Sequence, residues 1–162
     1  MARRADDAIP ILAKTLDPPV AQRRLRAVEA LTKIGSTSAL DVLADAIDNA
    51  DPVVRGQAAL VRGRRGDTGV IGALTRMVAV GSDDVAAADA LGALAVHDAE
   101  LVAAAIERAL GSSDSRARRR LTQALADVPG GSASALLETL SNDIDRHVAV
   151  TATYLLRARD EG

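Results

Sequence analysis

The chain has 162 residues, and its 20 Lys and Arg against 22 Asp and Glu leave a formal net charge of −2. That charge excludes a global electrostatic attraction to nucleic acid or membrane, and an apolar content of 48% excludes a disordered chain. Because the chain contains no Cys, Phe or Trp, it also excludes disulfides, thiol nucleophiles, cysteine zinc sites and pockets walled by aromatic rings. One domain over residues 1–162 is the expectation for this length.

The start of the chain, MARRADDAIP, contains two arginines that no apolar run follows, so it does not resemble a secretion signal. No later window approaches the roughly 20 apolar residues of a membrane span. We therefore expect a cytoplasmic protein.

Apolar residues recur along the chain with helical spacing. Ile9, Leu12 and Leu16 form an i, i+3, i+7 stripe, which is the pattern of a helix with one buried face. Similar stripes recur further along, and each is followed by a second helical segment. The predicted helices span residues 6–16, 20–34, 38–49, 52–65, 68–80, 83–95, 98–111, 115–128, 133–143 and 146–159.

Turn formers and helix caps separate these segments. Residues 147–156 favour a strand by propensity, but the repeat register predicts a helix there because Leu155 takes the position of Leu125. The expected N-caps have side-chain oxygens that accept backbone N–H groups: Asp51, Asp67, Asp98, Asp114 and Ser132. The glycines and prolines between predicted helices are Gly35, Gly66, Gly81, Gly111, Gly130, Gly131, Pro18, Pro19 and Pro129.

The second helices repeat along the chain. One position is occupied in turn, at spacings of 31, 29, 34 and 30 residues, by Leu31, Arg62, Leu91, Leu125 and Leu155. Helix pairs of this length that cannot bury their faces alone form a solenoid, because each pair stacks on the next. The copies span approximately residues 6–35, 36–66, 67–96, 97–129 and 130–160.

The clearest copy is the segment DPVVRGQAALVRGRRGD at residues 51–67, which is echoed by AVEALTKIG at 27–35 and ADALGAL at 88–94. This pattern resembles the HEAT-repeat family, and most closely its short prokaryotic repeats of the phycobilisome-lyase type. The resemblance implies an all-α, right-handed α-solenoid of about five HEAT-like helix pairs, with the second helices on the concave side. It also implies a role in protein interaction, and it specifies neither partner nor reaction.

One repeat position holds an arginine in three copies, each preceded by an aspartate: Arg24, Arg55 and Arg118 follow Asp17, Asp51 and Asp114. The family resemblance suggests a structural ladder in which Asp and Arg of adjacent repeats pair across the stack. A partly buried, bidentate Arg–carboxylate pair fixes orientation well. The third and fifth copies have Asp84 and Val148 at this position, so we expect the ladder to be broken twice.

Arginine is concentrated in the second helices, whereas the first helices are mainly acidic and carry few arginines beyond Arg76 and Arg108. One interpretation is a groove for an acidic peptide or a phosphate backbone, and the other is ordinary solvated arginine on exposed faces. If the second helices line the concave side, that side should be basic near Arg26, Lys33, Arg64 and Arg120, and acidic near Asp83, Asp84 and Asp89.

Two arginines lie on or beside the face of residues 52–65 that is expected to be buried. That face is defined by Val54, Ala58, Ala59 and Val61. A buried unpaired charge costs several kcal/mol, so Arg62 and Arg65 must snorkel, pair with acids, or stand in a helix rotated to expose them. They are interpreted either as anion-binding anchors or as snorkelling residues of a loosened repeat.

No residues combine into a catalytic or metal-binding set. His97 and His147 are fifty residues apart and lack the spacing of metal ligands. The glycines at 63–72 follow no strand, so they do not form a dinucleotide or P-loop cradle. We expect no enzyme activity, no cofactor and no metal.

The sequence predicts a non-catalytic adaptor or scaffold that presents a concave, arginine-rich surface to an acidic protein or peptide. One alternative is binding of nucleic-acid phosphates, which the negative net charge and the lack of aromatic platforms disfavour. Another is an enzyme resembling bilin lyases or HEAT-type hydroxylases, whose metal-binding His-Glu pairs are missing. No membrane partner is expected. The residues expected to bind the partner are Arg26, Arg62, Arg64, Arg65 and Arg120.

The last predicted helix offers more apolar surface than one neighbour covers. One interpretation is end-to-end homodimerisation through this helix, and the other is a well-packed terminal cap. The residues concerned are Val148, Val150, Tyr154, Leu155 and Leu156.

Overall fold

The computed structural model describes residues 5–17 and 20–161. The predicted turn residues Pro18 and Pro19, and the two arginines of the MARRADDAIP start, lie outside the described residues. Within the described ranges the secondary structure consists of helices joined by turns, without a strand. This confirms the predicted all-α class, which fits an α-solenoid, while the handedness and the number of helix pairs stay predictions.

The chain divides into two compact units, residues 1–62 and residues 63–162, each of which is described by itself. The prediction of a single domain stays a prediction. In unit 1 the helices are α1 (Ile9–Lys14), α2 (Ala21–Ile34), α3 (Thr37–Asp45), which continues as a 3₁₀ turn over Ala46–Asp48, and α4 (Pro52–Arg64), in which the boundary falls. Unit 2 continues with a 3₁₀ turn (Thr68–Val70), α5 (Ile71–Val80), α6 (Asp84–Leu110), α7 (Ser115–Ala124), a second 3₁₀ turn (Leu125–Asp127), α8 (Gly131–Leu140) and α9 (Arg146–Asp160).

Unit 1 has a core of aliphatic and small side chains between α1, α2 and α3. The first predicted stripe contributes the buried Ile9 and Leu16, while Leu12 is partly buried against them. The other buried members are Ala27, Val28, Leu31, Ala39, Leu43, Ala44, Val54 and Val61. Burial of these side chains provides the main stabilisation of the unit, because removal of apolar surface from water is worth about 25 cal/mol per Å².

Unit 2 is centred on α6, which packs against α5, α7 and α8. Small residues let these elements approach closely. At Gly92 of α6, for example, an added Cβ would lie only 2.8 Å from the Cβ of Asp127. A larger residue at that position would push the two segments apart. The largest fully buried side chains of the unit include Leu74, Leu91, Leu94, Ile106, Leu121, Leu125 and Leu137.

The predicted boundary between helices 83–95 and 98–111 corresponds to a kink at Asp98. α6 runs through both predicted segments, and Asp98 interrupts it with φ −148° and ψ 78°. The Asp98 carboxylate accepts the backbone N–H of Leu101 at 3.0 Å, so it caps the second limb of the helix as predicted. Asp98 therefore separates two helical limbs, although neither glycine nor proline occurs between Ala95 and Leu101.

Of the other predicted caps, three are observed and the prediction for Ser132 is wrong. Asp51, Asp67 and Asp114 accept the N–H groups of Val53 at 2.9 Å, Gly69 at 2.8 Å and Ala117 at 2.8 Å. Ser132 is not a cap, because α8 already begins at Gly131. Its hydroxyl instead donates to the carboxylate of Glu100.

Residues 147–156 are helical, as the repeat register predicts and the strand propensity does not. They belong to α9, in which Val148, Ala152 and Leu155 are buried along one face. Packing of this i, i+4, i+7 stripe against α7 and α8 outweighs the small helix propensity of β-branched residues.

Candidate functional site

In unit 1, Arg24 of α2 is paired with Asp51 at the start of α4. The Nε of Arg24 donates to Oδ2 of Asp51 at 2.8 Å, and its Nη2 lies 2.7 Å from the same oxygen. The two side chains are 18% and 14% exposed, so the pair is largely shielded from water. Since the other carboxylate oxygen caps α4, one aspartate both begins a helix and holds the preceding second helix.

The environment of Asp51 favours its charged form. Burial by itself raises the pKa of the Asp51 carboxyl, but hydrogen bonds from Arg24 and from the backbone N–H groups of Val53 and Val54 outweigh it. The pKa of Asp51 is therefore held below its ordinary value. The pair contributes to stability as long as this carboxylate stays ionised.

Arg55 does not repeat the contact of Arg24. Its Nη1 donates to the backbone carbonyls of Asn49 and Ala50, both at 2.7 Å. It thereby ties the start of α4 to the turn before it, where carbonyl groups would otherwise need water. The same repeat position thus supports a contact between copies at Arg24 and a contact within one copy at Arg55.

In unit 2, Arg118 of α7 makes both kinds of contact. Its Nε and Nη2 reach the two oxygens of Asp143 at 3.0 and 3.2 Å, and its Nη1 donates to the carbonyl of Ser113 at 3.2 Å. Asp114 caps α7 and has no arginine partner among the residues that the structure describes. Asp143 was missed as a site residue because it lies 25 residues from Arg118 and off the aspartate position of the repeat.

Arg119 pairs with the next aspartate along the chain. Its Nε and Nη2 donate to the two oxygens of Asp145 at 3.2 and 2.7 Å, and Asp145 also caps α9 through the N–H of His147. The hydrogen bond from Arg119 lowers the pKa of the Asp145 carboxyl, and the same bond raises the pKa of Arg119. The pair therefore repeats in unit 2 the combination of cap and arginine partner seen at Asp51.

Arg120, a predicted partner-binding residue, is engaged inside unit 2. Its Nε lies 3.3 Å from Oδ2 of Asp84, and its Nη1 donates to the carbonyl of Ala79 at 3.1 Å. The guanidinium lies over Gly81, where a Cβ would be 2.6 Å from the Arg120 Cζ. Gly81 also has φ +77°, so both the backbone conformation and the contact with Arg120 disfavour an L side chain at this position.

The remaining predicted partner-binding residues are at least partly accessible. Arg26, Arg64 and Arg65 are exposed, and Arg62 is half-buried. Arg62 and Arg65 each take part in an interaction within the chain, whereas Arg26 and Arg64 have no carboxylate partner among the residues described. The predicted buried face of α4 is confirmed by Val54, Ala58, Ala59 and Val61.

Arg159 of α9 is a structural residue that sequence reasoning missed. Its Nη2 donates to the carbonyls of Leu125 and Val128, both at 2.6 Å, and its Nη1 donates to the hydroxyl of Ser134 at 3.2 Å. Partial burial lowers the pKa of Arg159. The repeat register contains a signal for this residue, because Arg159 occupies a position at which other copies have turn formers such as Gly66 and Pro129.

Residues 5–17 and 20–161 contain no group of three or more His, Asp and Glu side chains arranged to hold a metal ion. In the same ranges, no helix combines the length and apolar character that crossing a lipid bilayer requires.

The recurring helices, Asp caps and arginine contacts define a helical repeat protein. The sequence model of the HEAT repeats family matches residues 5–95, which is more than half of the chain, and the chain belongs to that family. No curated protein matches the sequence. HEAT repeats generally mediate protein interaction or scaffolding, so a protein partner is the functional class that the family supports.

We expect Asp51→Asn to lower the free energy of unfolding at pH 7 by about 1–2 kcal/mol, because it removes the charge that holds Arg24. Asp51→Ala should cost about 1 kcal/mol more, since asparagine retains a helix cap and alanine does not. The pKa of Asp51 is lower in the folded chain, so the contribution is complete above the unfolded value of about 3.9 and is lost as pH falls through the folded value. Urea titrations should show a difference between wild type and Asp51→Asn that is constant above about pH 5 and shrinks below about pH 4. A difference that grows on acidification would contradict this linkage.

Arg159→Met keeps the aliphatic stem of Arg159 and removes its donors. We expect it to lower the free energy of unfolding by about 2 kcal/mol, because the carbonyls of Leu125 and Val128 lose their shared partner. Arg157→Met is the matched control on the exposed side of α9, and it should change stability by about 0.5 kcal/mol or less. Urea denaturation of both variants checks this, and equal effects would show that the carbonyl contacts contribute little.

Proposed function

We propose that this HEAT-repeat chain is a non-catalytic, cytoplasmic adaptor that binds an acidic protein or peptide through exposed arginines of its second helices. The observation that carries this is the contrast between two groups of arginines. Arg24, Arg118 and Arg119 are each paired with an aspartate, whereas Arg26 and Arg64 are exposed with no carboxylate partner in the described part of the chain.

An exposed guanidinium without an internal partner is suited to a carboxylate from another molecule. Arginine presents a planar fork of donors that matches a carboxylate, and the bonds are charge-assisted. Unit 1 offers Arg26, and unit 2 offers Arg64. Arg65 is also exposed, but it already takes part in an interaction within the chain. We assign smaller parts to Arg62, which is half-buried, and to Arg120, which already contacts Asp84.

We also propose that the chain forms a right-handed solenoid of about five helix pairs, with the second helices on its concave side. We further propose that its repeats are of the phycobilisome-lyase type. The support is the family match over residues 5–95 together with the all-helical secondary structure. A concave array of repeats binds an extended partner by adding many weak contacts, which suits exposed arginines that are individually weak.

The proposal is tested with a fluorescein-labelled polyglutamate peptide as the acidic partner. At roughly 50 mM salt we expect binding that weakens as salt rises, because exposed charges are screened. Arg26→Gln combined with Arg64→Gln should weaken it roughly fivefold, whereas Arg76→Gln combined with Arg108→Gln, the same charge change on first helices, should change it by less than about twofold.

Two results of that experiment would reject the assignment. Equal losses in the two double variants would indicate net charge and not a surface of the second helices. Duplex DNA that binds more tightly than polyglutamate, with a steep fall in affinity as salt rises, would favour the nucleic-acid alternative.

A second candidate contact is a homodimer formed through α9. Of the predicted apolar surface, Val148 and Leu155 are buried inside unit 2, while Val150 and Tyr154 are 60% and 70% exposed. These two residues are four positions apart and share one face of the helix. We propose that a second copy of the chain covers this face, since burial of its apolar area from water would favour association.

Light scattering at several protein concentrations tests the homodimer. We expect a mass that rises toward the dimer with concentration, and Val150→Ser combined with Tyr154→Ser should return it to the monomer. The control, Val85→Ser combined with Val96→Ser, alters two exposed valines of α6 and should leave the dimer intact. A wild-type mass that stays monomeric at every concentration would remove this candidate.

A further inference from the structure

Two arginines depart from the charge pattern of the first helices, and the structure brings them to one groove. Arg76 belongs to α5 and Arg108 to the second limb of α6, and both are exposed. They line a groove in unit 2 with a volume of about 340 Å³. The adaptor surface proposed above uses arginines of second helices, so this groove is a separate feature.

The groove is positively charged without internal neutralisation. Its lining contains two arginines and no Asp, Glu or Lys. The Nε of Arg108 donates to the carbonyl of Ala104 at 3.2 Å, which leaves its Nη groups without a partner among the residues that the structure describes. Arg76 likewise has no ion pair or hydrogen bond within those ranges. Arg118 and Arg119 in the same unit are held by aspartates, whereas the two arginines of the groove have no ion pair within the described residues.

The rest of the lining is small or hydroxylated. Ser113 donates a 2.7 Å hydrogen bond to the carbonyl of Ala109, and the hydroxyl of Ser112 reaches the same carbonyl at 3.5 Å. Because this Ser112 hydrogen bond is long and therefore weak, the Ser112 hydroxyl can donate to an anion in the groove instead. A Cβ added at Gly72 would meet nothing within 4 Å, so the groove is open beside α5.

We propose that this groove binds a phosphomonoester carried on a peptide segment of a protein partner. Two guanidinium charges balance a phosphate dianion, whereas a single carboxylate would neutralise one of them. Arginine is suited to phosphate because its planar fork donates two parallel hydrogen bonds. The volume accommodates a group of side-chain size, and the open sides leave room for the chain that carries it.

The experiment uses the full chain and a fluorescein-labelled peptide with one phosphoserine among glycine and alanine residues. The same peptide with serine and with glutamate serves as comparison, and inorganic phosphate is added as a competitor. Fluorescence anisotropy should show that the phosphoserine peptide binds at least about tenfold more tightly than either comparison peptide, because only phosphate engages both guanidiniums.

Three variants distinguish binding in the groove from a general effect of net charge on affinity. Arg76→Gln combined with Arg108→Gln should weaken binding of the phosphoserine peptide by at least about tenfold. Arg26→Gln combined with Arg64→Gln changes the net charge equally and should alter it by less than about twofold. Gly72→Leu keeps both arginines and fills the groove, so it should also weaken binding, while circular dichroism and thermal melting show that each variant remains folded.

Several outcomes would overturn the proposal. The proposal fails if the double variant of Arg76 and Arg108 binds the phosphoserine peptide as tightly as the wild type. It also fails if the double variant of Arg26 and Arg64 loses as much affinity for that peptide. Inorganic phosphate that binds as tightly as the peptide would overturn the assignment to a peptide-borne group. Because polyglutamate binding depends on Arg26 and Arg64 in the proposed function, the crossed variants reveal which of the two proposals has failed.

Discussion

An aspartate that caps the first turn of one second helix also receives the guanidinium of the second helix before it. Asp51 does this for Arg24, and Asp145 does it for Arg119. The cap satisfies backbone N–H groups that have no partner inside the helix, and the arginine neutralises the charge that the cap introduces. Each contact therefore sets the start of one helix and its position against another at the same time.

Such directional contacts are valuable in a chain whose buried core contains many alanines beside its leucines and valines. Alanine and glycine let helices approach closely, as Gly92 does beside Asp127, but they provide few interlocking shapes that would define a unique alignment. An ion pair with two defined hydrogen bonds, such as Arg118 with Asp143, restricts the alignment more than an apolar contact of similar area. Arg159 acts in a related way through backbone carbonyls.

The same residue type thus occurs in two kinds of surroundings in this protein. Where a carboxylate lies opposite, as at Arg119, the arginine is part of the architecture. At Arg76 and Arg108 the described residues provide no carboxylate partner, so no ion pair neutralises the guanidinium charge there. The net charge of the chain is close to zero, so local arrangements of arginine, and not the overall charge, distinguish one surface from another.

Local chemistry along the chain was sufficient to predict the helices, their repeat and most of their caps. Helical periodicity and the reach of an aspartate cap extend over only a few residues, so Asp51, Asp98 and Asp114 were found without a structure. Contacts across 25 residues or more depend on how helices pack, so tertiary structure decided the pairing of Arg118 with Asp143 and the hydrogen bonds of Arg159 to the carbonyls of Leu125 and Val128. The meeting of Arg76 and Arg108 in one groove belongs to the second group, because the sequence shows two exceptions and only packing makes them neighbours.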